Sequence, residues 1–250
     1  MTDNGSCGYC PFFIANNIDV IERNIYCFYK VVNHNPMTKK ERYAHFIAYF
    51  EKAMPEAETE LQYKTPFQLL CAVILSAQCT DKRVNLITPA LFEAFPTSAE
   101  MSKATKEDVL KYVRSVSYPN SKAEHLVQMA KMLMEKHCGE VPSDFDALVS
   151  LPGVGRKTAN VMLSVAFNQT AMAVDTHVFR LSHRIGLVSE KCTTPYSVEK
   201  ELVKNIPADI VPRAHHWLIL HGRYVCKSQR PNCKECGLTG FCKYYSTKKD

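Results

Sequence analysis

The stretch "PFQLLCAVILSAQC", Pro66 to Cys79, is fourteen residues long and apolar nearly all round. A membrane span needs roughly 20 such residues, so this segment is a helix for a protein interior. A helix without a polar face must be covered on every side. The rest of the chain has to supply that cover, and this requirement limits the fold more than any other feature.

The neighbouring segments are built to do so. Residues 38–54, "TKKERYAHFIAYFEKAM", set Tyr43, Phe46, Ile47 and Phe50 on one helical face at steps of three and four. The same spacing predicts helices over 83–95, 105–115, 121–137, 144–150, 157–167, 176–186, 197–205 and 212–223. Ser121 is the expected N-cap of the helix that ends before Gly139. Alternating β-branched runs are nearly absent. The expected class is all-α with short turns, and 250 residues suit one large domain or two small ones.

Composition narrows the partners. A formal charge of +6 and a pI of 8.7 lean mildly towards a polyanion. The start of the chain has no basic n-region, and its apolar run "PFFIA" is too short for a signal peptide. A soluble protein, cytoplasmic and with no membrane partner, is expected. The eleven cysteines are odd in number and dense near the end. That pattern favours reduced thiols with one metal site over a disulfide scaffold.

Three constellations carry chemistry. In "LPGVGRKTA", Leu151 to Ala159, Pro152 and Gly153 stop a short helix. Gly155 permits a turn or a close approach that a Cβ would hinder. The next helix starts near Arg156, and its first amides point outwards without partners. Gly153, Gly155 and Arg156 thus form a candidate phosphate cradle. Lys157 sits just inside the helix. A lysine near a second cation, or partly desolvated at a positive helix start, releases its proton more readily and becomes a nucleophile. Eighteen residues on, Asp175 stands where it can cap the next helix. Cys226, Cys233, Cys236 and Cys242 then place four thiolates within seventeen residues, which suits a four-iron four-sulfur cluster or an all-cysteine zinc site.

"LPGVGRKTA" followed by "VDTHVFR" resembles the helix-hairpin-helix DNA glycosylases, most closely the endonuclease III family. "LLCAVILSAQCTD", "NSKAEHL", "HHWLILHGRYVC" and the terminal cysteines extend the resemblance over nearly all of residues 37–245. It implies a two-lobed fold: a helical barrel with the hairpin at 59–169, and a cluster domain made of 37–58 and 170–245. It implies excision of oxidised pyrimidines from duplex DNA by a monomer, followed by strand cleavage at the abasic site. Lys157 takes the position of the Schiff-base lysine and Asp175 that of the carboxylate facing it. The four cysteines match the family's 4Fe-4S motif, and Lys227 and Arg230 lie in the loop between the first two. Gln78 matches the glutamine that fills the gap left by an extruded nucleotide. Where the family has a Gly–aliphatic–aromatic–Asn loop, this chain has Ser117, Tyr118 and Pro119, so Tyr118 is the expected wedge.

Two rivals stand against this. An adenine-mispair glycosylase of the same fold lacks the hairpin lysine and normally continues past the cysteines. A redox-sensing DNA-binding module needs neither Lys157 nor Asp175. Residues 1–36 have their own charge balance and no clear helical face. The resemblance begins at or just after Met37, so the expectation is that translation starts there and the upstream stretch is an extension.

Overall fold

The computed structural model describes residues 37–248; the expected extension, residues 1–36, lies outside the described residues. The described residues form helices joined by turns and irregular segments, with no strand among them. Twelve α-helices follow one another: α1 Lys39–Ala53, α2 Pro66–Ser76, α3 Asp81–Ala94, α4 Ser98–Lys103, α5 Lys106–Val113, α6 Pro119–His137, α7 Phe145–Ser150, α8 Arg156–Val165, α9 Thr176–Ile185, α10 Pro195–Asn205, α11 Val211–Tyr224 and α12 Lys243–Thr247. A 3-10 turn covers Cys233–Glu235. No described helix is long and apolar enough to cross a membrane.

Threonine starts most of the early helices. Thr38, Thr65, Thr80, Thr97, Thr105 and Thr194 each accept a backbone N–H and so satisfy a donor the helix cannot pair. Three longer helices, α6, α8 and α11, begin with no side-chain cap. Two of these, α6 and α8, open at candidate site residues.

Sequence and structure differ at several ends. Helix α2 stops at Ser76 rather than Cys79, because Ala77 leaves helical backbone at ψ 116° and Gln78 then turns into the left-handed region at φ 53°. Helix α6 opens at Pro119, and Ser121 is not its cap. Proline's fixed φ suits the first helical position, and Tyr118 at φ 55° makes the entry. Short α4, the 3-10 turn and α12 were not foreseen.

Helix α2 is buried as its composition requires. Leu69, Leu70, Cys71, Ala72 and Leu75 are fully covered, within one apolar cluster that runs from Leu61 to Ala171 and gathers α2 to α8. Burying each leucine contributes about 1.5–3 kcal/mol. A second aromatic group ties the two ends of the fold. Phe50 stacks on Trp217 at 5.6 Å, Phe46 meets it edge-on, and the indole N–H donates to Met54 O at 2.7 Å. Helix α1 therefore packs on α11, next to the segment that bears the cysteines.

Candidate active site and cysteine loop

Helices α7 and α8 form a hairpin around residues 151–155. Leu151 and Val154 are buried and hold the turn to the core, while Gly153 and Gly155 are exposed. Gly153 has φ 79°, and a Cβ there would stand 3.0 Å from His125 Cβ on α6. Glycine is required at that position. Gly155 differs: its φ is −97°, open to any residue, and a Cβ would meet no protein atom within 4 Å. Neither a turn nor a neighbour in the chain demands glycine there, which leaves close approach from outside.

Lys157 is exposed in the first turn of α8. That turn has no side-chain cap and no acidic residue, and it carries two cations. Like charges at the positive end of a helix are unfavourable, by roughly 0.3–1 kcal/mol each. Arg156 is answered from elsewhere. Its Nε and Nη2 donate to the Glu199 carboxylate at 3.0 and 2.5 Å, and its guanidinium lies over the rings of Phe145 and Tyr196. The Glu199 bond raises the guanidinium's already high pKa. Arg156 is therefore a paired cation beside Lys157, its partner lying 43 residues away in the chain.

After α8 the chain returns along it. Gln169 N donates to Leu163 O at 2.8 Å, and Asn160 Nδ2 donates to Met172 O at 3.2 Å. Each step forward on the return segment is thus a step back along the helix. Three more residues bring the segment to Asp175 and the helix to Lys157. Three extended residues cover about 10 Å and three helical ones about 4.5 Å, so the return segment is long enough to carry Asp175 towards the open end of α8. Asp175 caps α9: Oδ1 accepts from His177 N and Val178 N, both at 2.8 Å.

Residues 171–174, which lead to Asp175, are buried. His215 on α11 lies beside the Ala173 backbone. Burial above all, then His216 and the Lys157 charge, push its pKa down to about 3, so the ring stays neutral. His177 is half-buried, with its Cβ tight against Gly222 on α11.

Gln78 and Tyr118 lie side by side in the fold. Both are exposed, and both are non-glycine residues in the left-handed region. The Ser117 hydroxyl donates to Gln78 O at 2.6 Å. Buried Lys122, one turn into α6, donates to Leu75 O at 2.8 Å and Ala77 O at 2.6 Å. It thereby caps the negative end of α2 and locks the two loops together. Asp81, at the start of α3, pairs with Arg223 of α11 at 2.8 Å.

The four terminal cysteines are free thiols that line one cavity with Leu181 and Ile185. Burial raises Cys236 to about 11 and moves Cys242 the same way, and the other thiols add to both effects. No three His, Cys, Asp or Glu side chains among the described residues converge closely enough to hold one metal ion. A zinc ion needs such convergence, with each sulfur about 2.3 Å away. A four-iron cluster takes one thiolate per iron and spreads them round a larger core. The loop itself is gripped by α9. Arg180 donates to Gly222 O and Cys226 O, and Arg184 to Lys227 O and Ser228 O. Lys227 and Arg230 are left exposed on it. Sequence reasoning missed Lys122, Arg180, Arg184 and Glu199. Only partners distant in the chain give them meaning.

Residues 71–208 match the family described as "HhH-GPD superfamily base excision DNA repair protein". The chain is 48% identical to endonuclease III of Rickettsia conorii over 200 residues, covering 80% of this chain and 94% of that protein. It is 45% identical to endonuclease III of Escherichia coli K12, covering 76% of this chain and 89% of that one. A solved structure of endonuclease III trapped in a covalent intermediate with DNA superposes with a TM-score of 0.79 at 42% identity, covering 86% of this chain and all of the other. The hairpin before α8, the lysine in its first turn and the carboxylate that caps α9 thus sit in a chain that belongs to the HhH-GPD superfamily of base excision DNA repair proteins, in its endonuclease III family.

Proposed function

We propose that this bifunctional DNA glycosylase and abasic-site lyase removes oxidised pyrimidines from duplex DNA through a Schiff base on Lys157. The observation that carries this is the return segment bonded back along α8, which leads Asp175 towards the end where Lys157 is exposed. The Lys157 amine attacks the sugar C1′, the C1′–base bond breaks, and the base leaves with a proton. Ring opening gives an imine. A proton is lost from C2′, the C3′–O bond breaks, and the strand is cut by β-elimination. Water then releases the imine. The Asp175 carboxylate stabilises positive charge on the sugar and assists the proton transfers.

The DNA backbone is held at Gly153, Gly155 and the first amides of α8, including that of Arg156. Lys227 and Arg230 add phosphate contacts from the cysteine loop. Gln78 fills the gap left by the extruded nucleotide, and Tyr118 wedges opposite it. Cys226, Cys233, Cys236 and Cys242 hold a 4Fe-4S cluster. When bound it serves as a structural core that shapes the 227–232 loop. The barrel, 59–169, and the cluster domain, 37–58 with 170–245, form the walls of the cleft, and one copy of the chain suffices for the reaction.

The test is strand cleavage on duplexes carrying an oxidised pyrimidine, an abasic site or no lesion. Cleavage of the first two only is expected, with none by Lys157→Gln and duplex affinity retained. Full cleavage by Lys157→Gln would show that another amine does the chemistry. Iron without zinc in the anaerobically purified protein is expected; zinc alone would overturn the cluster assignment.

A further inference from the structure

Helix α8 opens in a way that ought to be unstable. Its first turn has no side-chain cap, no acidic residue and two adjacent cations. Yet the side chain at its second position must be aimed at a sugar carbon. Glu199, on α10, answers both problems. Both its oxygens are taken by Arg156, and its side chain is only 14% exposed. The guanidinium between them also lies 4.9 Å from the Phe145 ring centroid and 4.4 Å from that of Tyr196. One cation therefore joins the first residue of α7, the first residue of α8 and the first turns of α10. Helix α10 in turn packs on α9, which Asp175 caps.

We propose that Glu199 is a positioning residue for the reaction: by anchoring Arg156 to α10 it fixes the rotation of α8's first turn, and with it the direction of Lys157. Successive helical side chains point about 100° apart, so holding the first sets the second. The pairing also keeps the Arg156 side chain off the DNA phosphates, leaving its backbone amide to serve there. The inference rests on Lys157 being the Schiff-base lysine.

Glu199→Gln keeps the shape and removes the charge. Single-turnover cleavage of abasic duplex at saturating enzyme should slow about tenfold, as expected for a modest misplacement of a reacting group. Plain-duplex affinity should not fall. Its dependence on salt should steepen by about 0.9 in log–log slope, because the released guanidinium takes a phosphate. Arg156→Gln combined with Glu199→Gln should be no slower than Glu199→Gln alone, because the two side chains act through one bond. Glu199→Asp should fall between, and it replaces Glu199→Gln if that variant does not fold. A merely structural role would lower melting temperature and leave the salt slope alone. Borohydride trapping of wild type and Lys157→Gln runs alongside. Absence of trapping by wild type would remove the lysine assignment itself. Normal trapping by wild type, with unchanged cleavage rate and salt slope in Glu199→Gln, would overturn the positioning role alone.

Discussion

The hairpin and the paired loops before α3 and α6 enter the same region of backbone space in opposite ways. At the hairpin the residue is Gly153, at φ 79°. In the loops the residues are Gln78 and Tyr118, at φ 53° and 55°. Glycine enters that region freely, whereas a residue with a side chain costs roughly 1–2 kcal/mol there. The difference follows what each turn shows to its surroundings. The hairpin offers backbone amides, and a side chain would obstruct them. The loops offer side chains, so their strain has to be held by something else. Lys122 holds it, with two bonds to carbonyls at the end of α2. Strain of this kind gathers at functional sites.

Removing the holder should have the largest effect. Lys122→Met leaves two carbonyls short of a donor and frees both loops. The expected loss is about 2 kcal/mol, or a melting temperature lower by about 4–8 °C, with cleavage reduced at least about tenfold. Unchanged melting and activity would mean the loops support themselves.

The glycines come next. Gly153→Ala places a side chain at positive φ, with its Cβ 3.0 Å from His125 Cβ, and should destabilise by about 1–2 kcal/mol. Gly155→Ala should leave melting within about 0.5 kcal/mol, because its Cβ meets no protein atom, and should weaken duplex binding all the same. Equal effects of the two on stability would erase the distinction between a turn glycine and an approach glycine. Thermal melts and duplex titrations of both variants decide it.

Tyr118→Gly reverses the bargain in the loop. It should stabilise the fold by up to about 1 kcal/mol while slowing cleavage of lesion duplex. A gain in stability with full activity would show that the exposed ring does nothing to DNA.

What could be read in advance follows the range of each interaction. Helix faces were legible because their partners lie three or four residues away, and α2 because its apolar surface has no alternative to burial. The hairpin lysine, the capping Asp175 and the four cysteines could be picked out as local strings. The start of α6 was misread, since Ser121 is a better cap by type than Tyr118, but Pro119 fits the first helical position. Glu199, Lys122, Arg180 and Arg184 were silent. Each is an ordinary charged residue until the fold brings a guanidinium or a row of carbonyls to it from 42 or more positions away.

The central claim is that the amine at the open end of α8 is the nucleophile. Borohydride reduction of the enzyme on abasic-site DNA, followed by proteolysis and mass spectrometry of the adduct, reads out that atom directly. A sugar-derived mass on the peptide containing Lys157, with cleavage by trypsin lost after that residue, is the expected result. The same mass on any other lysine, Lys122 or Lys227 included, would contradict it.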